Sequence, residues 1–330
     1  MNKITNNGKE KFPNAEDYLA DYALLVEGGV LSIYDKTIEK RISANFLSYF
    51  DTLTEVEWLN FFLSPFTNFW LFENMHKDAI RDEEWNMLHE QYDSFEHVNT
   101  ENKIIIFKKL PTVFLDDLRS FGIGSKRDDC LNADFLNPDS KLFRDSIENI
   151  NKAFKLIELY TPGFYLDSLS FVNSIALVDQ NASFRGASGA KRMGLIYFSP
   201  DKNWDEYKWA EEIIHETTHC LLDVVSGRTP LLNNTDAFEE KYIAPFRRDK
   251  RPLHGNFHAL TVISRCLAFF KNVSDSNSDV KLAMNQWISD FLERGRLPFE
   301  QLKKDANFSL LGELLFQQII TPVFEPVVTI

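Results

Sequence analysis

Apolar residues recur at spacings of three and four along most of the chain, and this spacing constrains the fold more than any other feature of the sequence. It predicts helices from residue 15 to about residue 107, where Phe46, Phe50 and Leu53 share one helical face. The chain also has 29 phenylalanines and only 13 glycines, which favours helices packed through large side chains over a turn-rich β architecture. We therefore predict a mainly α fold of the α+β type.

A proline–glycine pair, Pro162-Gly163, is the predicted boundary between two parts of the chain. The helix predicted over residues 139–159 ends just before it. The first part, residues 1–162, is expected to be a helical region that helps to bind a peptide. The second part, residues 163–330, is expected to be a metal-binding catalytic domain.

The second part begins with a change from helical to β-rich sequence. The runs at 171–178 and 194–198 predict two strands of a small sheet. The loop between them contains Gly186 and Gly189 but lacks the spacing of a phosphate-binding loop, so we expect a flexible connection. Further helices are predicted over residues 205–226, 256–271, 280–293 and 310–319.

The charge balance limits the classes of partner. A net charge of −13, from 36 basic and 49 acidic residues, disfavours nucleic acid and anionic membranes as partners. The polar N-terminus has no apolar core of the kind that a signal peptide carries, and no apolar run approaches the roughly 18 residues of a membrane span. We therefore expect a cytoplasmic protein, and the sequence leaves its oligomeric state open.

Two histidines four residues apart, His215 and His219, provide the strongest chemical signal. On the helix predicted over 205–226 both imidazoles project from one face, one turn apart, as a shared metal ion requires. Glu216 is rotated by about 100° from His215, close enough to the open side of a metal to act as a base or to hold a water or ligand. Asp223 continues the histidine face, where it could accept a ring N–H from a ligand or join the coordination shell.

A catalytic metal site usually has three protein ligands, and the candidates for the third are His254 and His258. We favour His258, because it begins a helical segment whose apolar face would pack in the core. No histidine lies six residues after His219, so the metzincin pattern is excluded. The strand at 194–198 followed by the motif helix is the arrangement that zincin-type sites use.

Arginines are concentrated between the two histidine-bearing helices, at Arg247, Arg248 and Arg251. A guanidinium near a metal pocket is well shaped to bind a carboxylate through two parallel hydrogen bonds. These arginines are therefore candidates for binding a dicarboxylate cosubstrate.

A series of short segments occurs in a fixed order between about residue 188 and residue 265. These are Ser188-Gly189, Gly194 to Pro200, His215 to His219, Tyr242 to Arg247, and Arg251-Pro252-Leu253 with Gly255 and His258. In these segments and their order the chain resembles the HExxH-type peptide-modification family, whose members look like 2-oxoglutarate-dependent peptide β-hydroxylases of ribosomal peptide natural-product pathways. One departure is Phe246, where the family pattern has Trp.

The resemblance implies an iron site and a cosubstrate site. His215 and His219 would be ligands of Fe(II), with His258 as the third, and Arg247 or Arg251 would hold 2-oxoglutarate. The substrate would be a side-chain β-carbon in a ribosomally made precursor peptide. Three histidines differ from the two-histidine, one-carboxylate set of many non-haem iron oxygenases, which leaves the role of Glu216 or Asp223 open.

Two other functions fit the same motif. In a zinc metallopeptidase, Glu216 would activate a Zn²⁺-bound water as the general base, and the strand at 194–198 would present the peptide. In a non-catalytic homologue that binds a leader peptide, the metal would be structural or absent. Imidazole ligands suit both iron and zinc, so the ligands alone do not decide between the metals.

Overall fold

A computed structural model describes residues 20, 22–26, 54, 61–74, 97–102, 104–110, 114–115, 134–179, 184–246 and 250–325. The chain divides into two compact units. One, the helical unit, consists of Lys152–Ser168 and the described part of Asp205–Ile330. The other, the sheet unit, consists of the described parts of Glu16–Asn151 and Leu169–Trp204. The predicted functional division at residue 162 stays a prediction.

The sheet unit contains a mixed five-stranded sheet in the order β1-β2-β3-β5-β4. The three inner strands are parallel, and each edge strand is antiparallel to its neighbour. Both β3 and β5 are buried along their whole length, as is typical of the inner strands of a covered parallel sheet. The strands are β1 (His97–Asn99), β2 (Ile105–Phe107), β3 (Ser174–Leu177), β4 (Gly186–Ala187) and β5 (Leu195–Phe198).

Aromatic side chains form much of the core of the sheet unit. Helix α1 (Pro65–Asn74) contributes Phe66 and Phe69, whose rings lie 5.0 and 4.7 Å from that of Phe114. The hydroxyl of Tyr197, on β5, donates a hydrogen bond of 3.1 Å to the backbone carbonyl of Phe114. The phenylalanine-rich composition is thus used in edge-on ring packing against the sheet.

Two sequence predictions about this unit are wrong in part. Residues 97–99 and 105–107 fall at the end of the stretch predicted to be helical, yet they form β1 and β2. The run from Ile104 to Phe107 has three β-branched isoleucines followed by an aromatic residue, and its strand preference outweighs the helical spacing around it. The loop expected to be a plain connection contains β4 and a 3₁₀ turn at Ala190–Arg192.

Two helices precede β3 in the chain, α2 (Lys141–Tyr160) and α3 (Pro162–Phe171). The helix break predicted at Pro162-Gly163 is confirmed, because α2 ends two residues before Pro162 and a new helix begins there. Proline is favoured in the first turn of a helix, where its missing N–H costs no hydrogen bond.

The second segment of the helical unit begins with a long helix, α4 (Glu206–Arg228). Asp205 caps its N-terminus by accepting a 2.8 Å hydrogen bond from the backbone N–H of Lys208. A two-stranded ribbon of β6 (Tyr242–Ile243) and β7 (Lys250–Arg251) follows in the chain. The remaining helical elements are α5 (Leu253–Ser276), α6 (Lys281–Asp305), α7 (Leu310–Leu315), a π-helical turn (Phe316–Ile320) and α8 (Thr321–Phe324).

Helix α5 packs against both α4 and α6. Rings of α6 enclose Phe270 of α5, with Trp287 at 5.1 Å and Phe291 at 5.3 Å between centroids. A buried ion pair of 2.7 Å joins Arg265 of α5 to Asp167 of α3. These contacts fix α5 beside α4, which places the two histidine-bearing helices next to each other.

The predicted mainly helical fold with a small sheet is confirmed. The zincin-like arrangement of strand and motif helix stays a prediction. Helix α6 continues to Asp305 through Pro298, beyond the predicted end at residue 293. In the part of the chain that the structure describes, no helix combines the length and apolar character needed to cross a membrane.

Candidate metal centre

Helix α4 is buried almost all round, including its polar residues. Ala210, Ile214, Leu221 and Val225, the face predicted to be anchored in the core, are fully buried. The motif itself is also held by polar contacts, since the hydroxyls of Thr217 and Ser168 lie 3.2 Å apart.

Polar side chains form two adjacent rows along α4, because residues four apart in sequence lie one above the other on a helix. One row has Glu211, His215, His219 and Asp223, and the other has Lys208, Glu212 and Glu216.

The two histidines of the motif lie side by side on α4, as their spacing predicted. The ring centroids of His215 and His219 are 5.1 Å apart, with the ring planes at 61°. The ring of Phe246 lies 5.9 Å from that of His215, and Phe246 in turn packs on Phe291 of α6 at 5.4 Å. An aromatic side chain therefore borders the first histidine. The metal itself stays a prediction.

Helix α5 brings the other two candidate histidines to the same place. The ring of His258 stacks on that of His219, with 5.9 Å between centroids and 23° between planes. The ring of His254, one turn earlier on α5, lies 4.4 Å from that of His258 between centroids. His258 is only 7% exposed, and its Nε2 is buried without a hydrogen-bond partner among the described residues. We call these three rings, His219, His258 and His254, the imidazole end of the site.

A pair of buried carboxyl groups that was not among the predicted site residues lies beside His215. Donor atoms of Glu211, Glu212 and His215 all lie within 4.8 Å of one another, and both glutamates are 1% exposed. The ammonium of Lys208 contacts both carboxylates, that of Glu212 at 2.5 Å. The spacing could have revealed this cluster, because Glu211 lies one turn before His215. We call Lys208, Glu211, Glu212, His215 and Glu216 the acidic end of the site.

The two ring nitrogens of His215 face different carboxylates. Nδ1 lies 3.8 Å from Oε1 of Glu211, and Nε2 lies 3.9 Å from Oε1 of Glu216. Both distances are longer than a hydrogen bond. Glu216 is 3% exposed, so the carboxylate that the sequence analysis assigned as a base is buried directly beside the first motif histidine.

Burial and charge act in opposite directions on the pKa of His215. Burial lowers it, but the interaction with Glu211 and the negative charges of Glu216 and Glu212 outweigh burial, so the pKa of His215 lies above its usual value. At this end of the site the charged form of an imidazole is stabilised.

The imidazole end has the opposite electrostatics. Burial, followed by the charge of His215, lowers the pKa of His219 to about 3. The pKa of His258 is held well below its usual value by burial and then by His254 and His219. Burial alone lowers the pKa of His254. These three rings are neutral near pH 7, which is the form that binds metals.

Of the remaining predicted site residues, Arg251 and Asp223 are among the described residues, whereas Arg247 and Arg248 are not. Arg251 is half-buried on β7, where it is paired with Tyr242 of β6. Arg247, the alternative arginine, lies outside the described residues, as does Arg248. Asp223 is half-buried one turn after His219, and its contact with a ligating histidine stays a prediction.

No protein-family model matches the chain, and no curated protein matches it either.

Proposed function

We propose that the protein is an Fe(II)- and 2-oxoglutarate-dependent hydroxylase that acts on a side-chain β-carbon of a ribosomally made precursor peptide. The observation that supports this proposal best is the position of His258. This buried ring comes from a second helix, stacks on His219, and has an Nε2 without a hydrogen-bond partner among the described residues. A buried polar nitrogen of this kind is costly unless a ligand uses it.

In this proposal three imidazoles hold the metal ion, whereas the donor groups that the described structure brings within 4.8 Å of one another are those of Glu211, Glu212 and His215. His215 and His219 come from one face of α4, and His258 comes from α5. The low pKa values of His219 and His258 mean that protons do not compete for their nitrogens near neutral pH. With 2-oxoglutarate and O₂, the chemistry that Fe(II) would supply here is the oxidation of an aliphatic C–H bond.

The other groups of the site have proposed roles in binding and in excluding water. Arg251 would bind a carboxylate of 2-oxoglutarate through its guanidinium, with Arg247 as the alternative. Phe246, whose ring centroid lies 5.9 Å from that of His215, would limit the access of water to one side of the site. Residues 1–162 would contribute to binding the precursor peptide in the cytoplasm.

Anaerobic reconstitution tests this proposal. The purified protein is loaded with Fe(II), then given 2-oxoglutarate, O₂ and the peptides encoded beside its gene. We expect succinate formation that depends on peptide, and a peptide heavier by one oxygen atom. Arg251→Lys keeps the charge but loses the planar fork, so it should raise the KM for 2-oxoglutarate. Absence of peptide-dependent succinate would contradict the proposal.

A zinc metallopeptidase is the second candidate, and the buried Glu216 favours it. Its carboxylate is 3.9 Å from Nε2 of His215, close to where a metal-bound water would need a base. Glu216→Gln should abolish peptide cleavage if the protein is a peptidase, whereas succinate formation by an oxygenase should survive in part. Glu212→Gln, on the same row of α4, is the matched control.

A non-catalytic homologue that binds a leader peptide is the third candidate. Elemental analysis of protein purified without chelator separates it from the two enzymes. An enzyme should retain near-stoichiometric metal that is lost in the double variant His215→Gln, His219→Gln. Peptide binding that persists without metal or turnover would favour the non-catalytic function.

A further inference from the structure

We propose that Glu211, held in place by Lys208, is a positioning residue that keeps a proton on Nδ1 of His215 and so leaves Nε2 available to a metal ion. This inference rests on the proposed use of His215 as a metal ligand. In the sequence, Asp223 is the residue whose position on the histidine face predicts such a role, whereas Glu211 lies one turn before the motif.

Helix geometry puts Glu211 where it can act on His215. The two residues are four apart on α4, and helical side chains lean towards the N-terminus, so the ring of His215 lies over the turn that carries Glu211. Oε1 of Glu211 is 3.8 Å from Nδ1. A small rotation of the carboxylate would bring the two atoms into hydrogen-bond range.

The surroundings of Nδ1 make the proton on this nitrogen depend on Glu211. Nδ1 is buried and makes no hydrogen bond in the described structure, so a proton there needs an acceptor from the protein. Nε2 faces Glu216 on the other side of the ring at a similar distance, 3.9 Å. A metal ion on Nε2 and a proton on Nδ1 would leave both nitrogens of His215 satisfied.

Lys208 places a positive charge beside the buried carboxyl group of Glu211. Its ammonium contacts Glu211 through Oε2, the oxygen that does not face His215. It also contacts Glu212 at 2.5 Å. One cation therefore orients the carboxylate and offsets its charge, while Oε1 stays directed at the ring.

The tautomer of His215 can be measured directly in the metal-free protein. Long-range ¹H–¹⁵N correlation spectra of the full chain labelled at histidine, recorded above the pH at which His215 titrates, identify which nitrogen carries the proton. His215→Gln assigns the signal. We expect the proton on Nδ1. A proton on Nε2 in the wild-type protein would overturn the proposal without any variant of Glu211.

Two leucine variants form a matched pair. Glu211→Leu and Glu212→Leu each remove a buried carboxylate that contacts Lys208, but only Glu211 faces His215. We expect Glu211→Leu alone to move the proton of His215 to Nε2. Glu211→Gln retains an acceptor oxygen and should restore the Nδ1 proton, which a purely structural role would not require.

Zinc titration against a chromogenic chelator gives a second measurement. Loss of a carboxylate that orients a ligating histidine costs about 10- to 100-fold in metal affinity, so Glu211→Leu should weaken Zn²⁺ binding by that factor and Glu212→Leu far less. Equal losses in both variants would place the ion on the carboxylates themselves and overturn the proposal. Because neither measurement uses 2-oxoglutarate or peptide, failure of the proposed hydroxylase would leave this inference standing.

Discussion

His215 and His219 are one turn apart on the same helix, yet their surroundings drive their protonation in opposite directions. Carboxylates at the acidic end raise the pKa of His215, whereas burial beside other imidazoles lowers that of His219 to about 3. The comparison shows that identical residues of one motif differ in protonation according to their neighbours. The acidic end stabilises a charged imidazole, and the imidazole end holds neutral ones.

The largest expected effect is a loss of metal affinity when a histidine of the imidazole end is replaced, which tests whether these residues are ligands. His219→Gln and His258→Gln should each weaken Zn²⁺ or Fe(II) binding by more than about 100-fold, beyond the 10- to 100-fold that changes around the ligands cost. Equilibrium dialysis with metal analysis measures the loss. His97→Gln, an exposed histidine on β1, is the control. A larger loss in His254→Gln than in His258→Gln would make His254 the third ligand.

The pH dependence of folding stability tests whether the pKa values of His215 and His219 are shifted in opposite directions. An unfolded histidine titrates near pH 6.5, so the low pKa of folded His219 stabilises the metal-free protein above that pH, and this contribution is lost as the pH falls towards about 3. His215, whose pKa is raised, contributes stability below about pH 6.5 that is lost as the pH rises through its folded pKa.

Urea unfolding at a series of pH values measures both contributions. In the acid range His219→Gln should flatten the fall in the free energy of unfolding, by up to about 1.4 kcal/mol per pH unit below pH 6.5. His215→Gln should leave this fall unchanged, because His215 is protonated in both the folded and the unfolded state there, and should instead remove a loss of stability at pH values above about 6.5. Equal slopes in the two variants would contradict the comparison.

Removal of Lys208 tests the balance of charge at the acidic end. Lys208→Met leaves two almost fully buried glutamates without their shared cation, and breaking a buried pair in this way costs about 3 kcal/mol of unfolding free energy. The double variant Lys208→Met, Glu212→Gln should recover part of the loss. Lys241→Met, which breaks an exposed ion pair with Asp236, is the control and should change much less.

The smallest effect is expected at Asp223, which continues the histidine row beyond His219 but is only half-buried. If Glu211 is the carboxylate that orients the motif, Asp223→Asn should change Zn²⁺ affinity by less than about 10-fold. Chelator competition measures the change alongside Glu211→Leu. If Asp223→Asn lowers Zn²⁺ affinity more than Glu211→Leu does, then Asp223, on the C-terminal side of the motif, is the carboxylate that orients the histidine.

Local signals in the sequence were sufficient for the positions of α4 and α5, whereas α3 was not predicted and α6 extends beyond its predicted end. Asp205, the predicted first residue of the motif helix, caps the N-terminus of α4. The predicted helix at 256–271 lies within α5. The strands were predicted less well. Both β1 and β2 are three residues long, and so short a run is difficult to distinguish from part of a helical pattern until a parallel neighbour such as β3 pairs with it.

The sequence alone determined that His215 and His219 project together from one buried helix, because helical spacing is a local property of the chain. His254 fell outside the helix predicted at 256–271, whereas α5 begins at Leu253 and carries both His254 and His258. Only the tertiary structure decided that His258 stacks on His219, since that contact depends on how α5 packs beside α4. Burial and charge then gave the two motif histidines opposite pKa shifts, because both effects depend on which side chains surround each ring and exclude water.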